Sequence, residues 1–172
     1  MSVRPTSDRV KEALFNILAH RVPGAVFLDL FAGTGNVGIE ALSRGAGSVI
    51  FVENNRKNGS VIRDNLALTG LGTKARQLHQ DVTAALPLLG REGQQFDIVF
   101  MDPPYLKGFE SNTLEGIASH RLLKPDGVVI IESSKKDHLP RNIKNLELVR
   151  QEKYGDSMLS FYYKEQATGE GI

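Results

Sequence analysis

Apolar residues fall in short blocks along the chain, and their spacing alternates between two periods. Val10, Ala13, Leu14, Ile17 and Leu18 recur at helical spacing behind Thr6-Ser7-Asp8, where Ser7 or Asp8 suits an N-cap. Pro23-Gly24 interrupts the chain, and Val26 to Leu30 then reads as a buried strand. The same alternation predicts a helix over 37–43, a strand over 48–53, a helix over 56–68, a weaker strand over 75–79 and a short helix over 82–89. Phe96 to Met101 is a strongly apolar strand, followed by a helix over 114–119 with Asn112 or Thr113 as cap. Pro125-Asp126-Gly127 predicts a turn before a strand over 128–132. Residues 146–153 and 158–163 read as an antiparallel pair around Gly155-Asp156, and 168–172 as a frayed tail.

Apolar strands alternating with helices imply a parallel sheet covered on both faces. Such sheets bind ligands beyond the carboxyl ends of their strands, at a switch in strand order. The segments at 29–35, 53–55, 81–82 and 102–105 all follow predicted strands, so they are expected along one edge.

Composition narrows the class without choosing it. The 172 residues suit one domain with a substantial core, expected over 1–172 with an N-terminal helical segment over 1–22. The absence of cysteine excludes disulfides, thiolate metal sites and a cysteine nucleophile, and it fits a reducing, cytoplasmic setting. No apolar run approaches the ~20 residues that span a bilayer. The net charge of +1 announces no polyanion partner by itself. Two small basic groups stand out, Arg4, Arg9 and Lys11 near the start and Lys135-Lys136 further on, and both also read as ordinary solvated surface. His20, His79, His120 and His138 are scattered without metal-ligand spacing, so no metal is expected.

Chemistry enters with two segments. Leu28-Asp29-Leu30-Phe31-Ala32-Gly33-Thr34-Gly35 ends the first strand. Gly33 and Gly35 permit a tight turn and close backbone approach to a ligand, and the next helix points its N-terminus there. Gly33 to Gly38 also satisfies G-x-G-x-x-G, which leaves NAD or FAD, or a turn with no ligand, as competing readings. Asp29 tilts the choice: a carboxylate there suits the positive end of a methionine moiety and would repel a pyrophosphate. The expected cofactor contacts are Asp29, Phe31, Ala32, Gly33, Thr34, Gly35, Glu53, Asn54, Asp81 and Val82. Glu53 can accept hydrogen bonds from both ribose hydroxyls, and Asp81 from an adenine amine with a backbone contact at Val82. Glu53 equally reads as a surface charge, and Asp81 as a helix cap.

Asp102-Pro103-Pro104-Tyr105 ends the strand that begins at Phe96. An exocyclic purine amine is a poor nucleophile because its lone pair is delocalised into the ring. Asp102 can accept one of its N–H groups and the Pro103 carbonyl the other, which turns the lone pair toward an incoming methyl. Pro103 and Pro104 stiffen the loop. Tyr105 can stack on the base, a contact worth roughly 1–3 kcal/mol in single-strand binding. The two segments together point to S-adenosylmethionine-dependent methylation of an exocyclic amine, on a base flipped out of any helix.

These residues resemble the class I methyltransferase fold and, within it, the small bacterial RsmD-type family that methylates guanine N2 in 16S ribosomal RNA. The run from Arg4 to Asn16, the glycine loop, the run from Glu40 to Ala46 and the Asp-Pro-Pro-Tyr segment carry the resemblance over nearly the whole chain. It implies an α/β, Rossmann-like fold with a seven-stranded, mostly parallel sheet, helices on both faces and an antiparallel C-terminal strand pair. It also implies S-adenosylmethionine as donor and the small ribosomal subunit as substrate. Arg4 to Arg9 would then close the cofactor site or touch RNA, with Lys11, Lys135 and Lys136 as further contacts, and the enzyme is expected to be a monomer. Family members usually carry a basic hairpin before this opening. The chain begins at Met1, so the expectation is either a shortened relative or different substrate contacts. An adenine-N6 methyltransferase, a nicotinamide-dependent oxidoreductase and a non-catalytic RNA-binding factor are the competing functions.

Overall fold

A computed structural model describes residues 6–104 and 108–165. Five parallel strands form one side of a mixed sheet: β1 (Val26–Leu30), β2 (Ser48–Val52), β3 (Ala75–Leu78), β4 (Phe96–Met101) and β5 (Leu123–Ser134). Three antiparallel strands complete it: β6 (Asn142–Ile143), β7 (Leu146–Tyr154) and β8 (Ser157–Lys164). The order is β3-β2-β1-β4-β5-β8-β7-β6. The two-residue β6 makes eight strands among the described residues where seven were expected. It is too short to carry a periodic signal and exists because Asn142 and Ile143 pair with Glu147 and Leu146.

Period-two alternation divides the core between the two faces. Phe27, Val49, Phe51, Ile98, Phe100 and Ile130 face α1 (Asp8–Ile17), α2 (Asn36–Ser43) and α3 (Arg56–Thr69). Leu28, Leu30, Ile50, Val99, Met101 and Ile131 face α4 (Val82–Arg91) and α5 (Phe109–Ser119). Ser7 caps α1 by accepting from Val10 N at 3.2 Å, and Asn55 caps α3 by accepting from Asn58 N at 2.9 Å.

Two expectations need correction. α5 begins at Phe109, five residues before the predicted start, so Asn112 and Thr113 lie inside the helix and neither caps it. Gly108 occupies the cap position in the left-handed conformation, and the Phe109 ring packs 5.8 Å from Phe31. Likewise Pro125-Asp126-Gly127 does not separate β5 from what precedes it. Leu123 already pairs with Phe96, and Val128 pairs with Ile98, so residues 124–127 bulge out opposite Asp97 within one strand.

Strand order reverses between β1 and β4: after β1 the chain builds toward one edge through β2 and β3, and after β4 it builds toward the other through β5. The carboxyl ends of the five parallel strands lie along one edge of the sheet, the edge at which such folds bind ligands. The predicted tail at 168–172 lies outside the described residues.

Candidate active site

Five carboxylates mark that edge, one at or just past the carboxyl end of each parallel strand: Asp29, Glu53, Asp81, Asp102 and Glu132. Asp29 is buried on the α2 side of β1, where its Oδ2 accepts from Gly38 N at 3.0 Å. Burial pushes its carboxyl well above the usual range. The Gly38 N–H acts the other way, and the nearby charge of Glu53 adds to the rise. Asp29 thus holds the first turn of α2 under the glycine loop.

The loop itself turns through left-handed residues. Phe31, Gly33 and Gly35 have φ of 57°, 60° and 82°, strained for the phenylalanine and easy for the glycines. Gly35 N closes onto Ala32 O at 2.8 Å, and Ala32 N reaches Val52 O at 3.0 Å. A side chain at Gly33 would meet nothing within 4 Å, so space is open above the loop. Thr34 is exposed at its crest.

Glu53 braces the loop from β2. Its Oε1 accepts from Gly33 N at 2.7 Å, and its Oε2 from Asn55 N at 3.1 Å and Asn58 Nδ2 at 3.4 Å. Each carboxylate oxygen has two acceptor sites. A diol held by both oxygens must therefore displace a bond, and the long Asn58 contact is the weakest. Asn54 beside it is exposed.

Asp81 serves as the cap of α4, its Oδ1 accepting from Thr83 N and Thr83 Oγ1, each at 3.1 Å. Val82 is buried in the core as the first residue of that helix. Next to Asp81, Gln80 Oε1 is buried without a hydrogen-bond partner among the described residues. An orphaned amide oxygen at this edge suits an N–H donor such as an adenine amine.

At the end of β4, Asp102 is half-buried and Pro103 buried. Thr6 Oγ1 lies 3.3 Å from Asp102 Oδ2 and 2.8 Å from Glu132 Oε1. Asn36, the first residue of α2, donates to Thr6 O at 3.3 Å. The segment before α1 is thereby tied both to the start of α2, next to the glycine loop, and to Asp102. Thr6, Arg9, Asn36, Glu132, Tyr154 and Ser157 are among the residues around a cavity of about 560 Å3. Tyr105 lies outside the described residues, as does Arg4.

The basic residues separate into two groups. Arg9 is exposed at the cavity. Lys11 instead bridges Asp8 and Glu40 at 3.9 and 3.8 Å. Lys135 pairs with Asp156 at 3.3 Å, beside the hairpin turn whose flanks, Tyr154 and Ser157, line the cavity, and Lys136 is exposed next to it. Among the described residues no three His, Asp or Glu side chains are grouped to hold a metal, and no helix is long and apolar enough to cross a membrane.

Sequence reasoning missed Thr6, Asn36, Gln80 and Glu132. Glu132 carries the signal that revealed Asp102, a carboxylate at the end of an apolar strand on the ligand edge. Thr6 and Asn36 join the site through contacts across the fold that no local pattern marks.

An open glycine loop lined by carboxylates, with an Asp-Pro-Pro segment at the strand switch, defines a class: the protein is an S-adenosylmethionine-dependent methyltransferase of the α/β type. The family profile described as conserved hypothetical protein 95 matches residues 1–163, and the chain belongs to that family, the RsmD type. It is 35% identical over 168 residues to the ribosomal RNA small subunit methyltransferase D of Escherichia coli, covering 98% of this chain and 82% of that protein. A solved structure of a conserved hypothetical protein from Streptococcus pyogenes superposes with a TM-score of 0.83 at 35% identity, covering 90% of this chain and 95% of that one. One from Thermus thermophilus gives 0.81 at 32% identity over 93% and 88%.

Proposed function

We propose that the protein methylates the exocyclic N2 of a guanine in 16S ribosomal RNA of the small subunit. The observation that carries this reading is Asp102-Pro103-Pro104 at the end of β4, beside the glycine loop after β1. The relative's name, ribosomal RNA small subunit methyltransferase, supports the choice of substrate. In this reading one methyltransferase domain works as a cytoplasmic monomer and calls for no metal.

Asp29, the 31–35 loop, Glu53, Asn54, Gln80, Asp81 and Val82 would hold the cofactor. Their carboxylates suit an ammonium, a ribose diol and an adenine amine, and they disfavour the phosphates of NAD. When bound, S-adenosylmethionine supplies an electrophilic methyl group on a sulfonium. Asp102 accepts one N–H of the guanine amine and the Pro103 carbonyl accepts the other, which holds the lone pair outward. Pro103 and Pro104 keep these acceptors in place at little entropic cost. Tyr105 is assigned to the face of the base. Arg9 and Lys136 meet phosphates, with Arg4 and Lys135 as further contacts. Lys11, already paired with Glu40, contributes least.

Asp102→Ala tests this most simply. Removing one preorganised acceptor is expected to lower turnover by about 100-fold or more, while calorimetry finds cofactor affinity within a few-fold of wild type. Unchanged turnover would rule out the clamp. An adenine-N6 acceptor fits the same clamp, and nucleoside analysis of the product separates the two.

A further inference from the structure

We infer that Glu132 selects guanine over adenine by accepting the base's N1–H beside the amine held at Asp102. The inference rests on the reading of the site as an amine methyltransferase and deepens it.

β4 and β5 are parallel neighbours with Met101 opposite Ile131. Asp102, just past β4, and Glu132, near the end of β5, therefore stand side by side at the strand spacing of about 4.8 Å. One hydroxyl, that of Thr6, touches both carboxylates, at 3.3 and 2.8 Å. Glu132 is only 2% exposed, yet it forms part of the wall of the 560 Å3 cavity. An ionised carboxylate offers acceptors and no donor. Two of them together make an acceptor-rich edge that suits neighbouring N–H donors.

Guanine presents that pattern, with N1–H adjacent to the N2 amine. Adenine has its amine next to N1 as well, but that N1 is an unprotonated acceptor. Its lone pair would face the Glu132 carboxylate, costing a hydrogen bond and adding repulsion. Asp102 alone cannot make this distinction, because it touches only the amine that both bases share.

The test uses small-subunit RNA carrying either guanine or 2-aminopurine at the methylated position, joined in by ligation. 2-Aminopurine keeps the N2 amine and has no N1–H. Wild type is expected to prefer guanine in kcat/KM by about 100-fold or more. Glu132→Gln can turn its amide to donate to the bare N1, so the preference should narrow to within about tenfold. Thermal melting and cofactor titration of Glu132→Gln verify its fold. An equal fall on both bases would mean that Glu132 only anchors Thr6, and would overturn the inference. So would a wild type indifferent to the swap. Methyl found on no guanine N2 at all would instead remove the reading beneath it.

Discussion

A carboxylate in the position of Asp29 is costly to ionise. It is 2% exposed, and burial holds its carboxyl well above the 3.8 that an unfolded chain would show. Between those two values the folded state binds the proton more tightly than the unfolded one. The associated stability is therefore complete below the unfolded value and is lost as pH rises toward the folded one. Asn in its place keeps an acceptor for Gly38 N–H and carries no charge. Asp29→Asn should melt higher than wild type at pH 8, by a few degrees, with a flatter dependence of melting on pH above 4. It should also bind S-adenosylmethionine at least about tenfold more weakly, because the proposed cofactor site uses this charge toward the ammonium. A lower melting temperature with unchanged affinity would show that Asp29 is structural only. The position of Asp29 before the glycines was legible from the chain. Its bond to Gly38 was not, because that depends on how α2 settles on β1.

At the scale of elements, the glycine loop works only if α2 lies close to the sheet. Gly38 makes this possible. A Cβ there would stand 2.4 Å from Phe51 Cε2, 2.9 Å from its Cζ and 3.0 Å from Asp29 Oδ2. Gly38→Ala must push an aromatic ring within a close-packed core, a strain of about 1–3 kcal/mol. We expect melting to fall by about 2–10 °C and cofactor binding to weaken, since α2 carries the loop. A variant that melts and binds like wild type would contradict this packing account. The third glycine of G-x-G-x-x-G was visible as a pattern shared with dinucleotide-binding proteins, and the structure gives its reason here as helix–strand contact. The strands at the sheet centre were legible for a similar reason: the near-continuous apolar runs of β1, β2 and β4 follow directly from burial on both faces. The start of α5, the bulge in β5 and the pairing of β6 were not. A left-handed Gly108, a register shift and a two-residue bridge are set by neighbours in space rather than by period.

In the molecule as a whole, parallel strands bring five carboxylates from distant points of the chain to one edge. Four of them could be singled out from the sequence, because each stands within or just after a predicted strand on the ligand edge. The cavity beside them could not. Its walls come from Thr6 and Ser7 with the first turn of α1, the first residue of α2, the end of β5 and the β7–β8 hairpin, which meet only in the folded sheet. That meeting ties Thr6 to Asp102 and Asn36, so the start of α2 beside the glycine loop, the Asp-Pro-Pro segment and the cavity form one connected unit. The most direct measurement is transfer of labelled methyl from S-adenosylmethionine to unmodified small ribosomal subunits, naked 16S RNA and duplex DNA, with the labelled nucleoside identified. Label is expected on a ribosomal acceptor as N2-methylguanosine, with none on DNA. Label on an adenine N6, or on DNA alone, would contradict the proposed function.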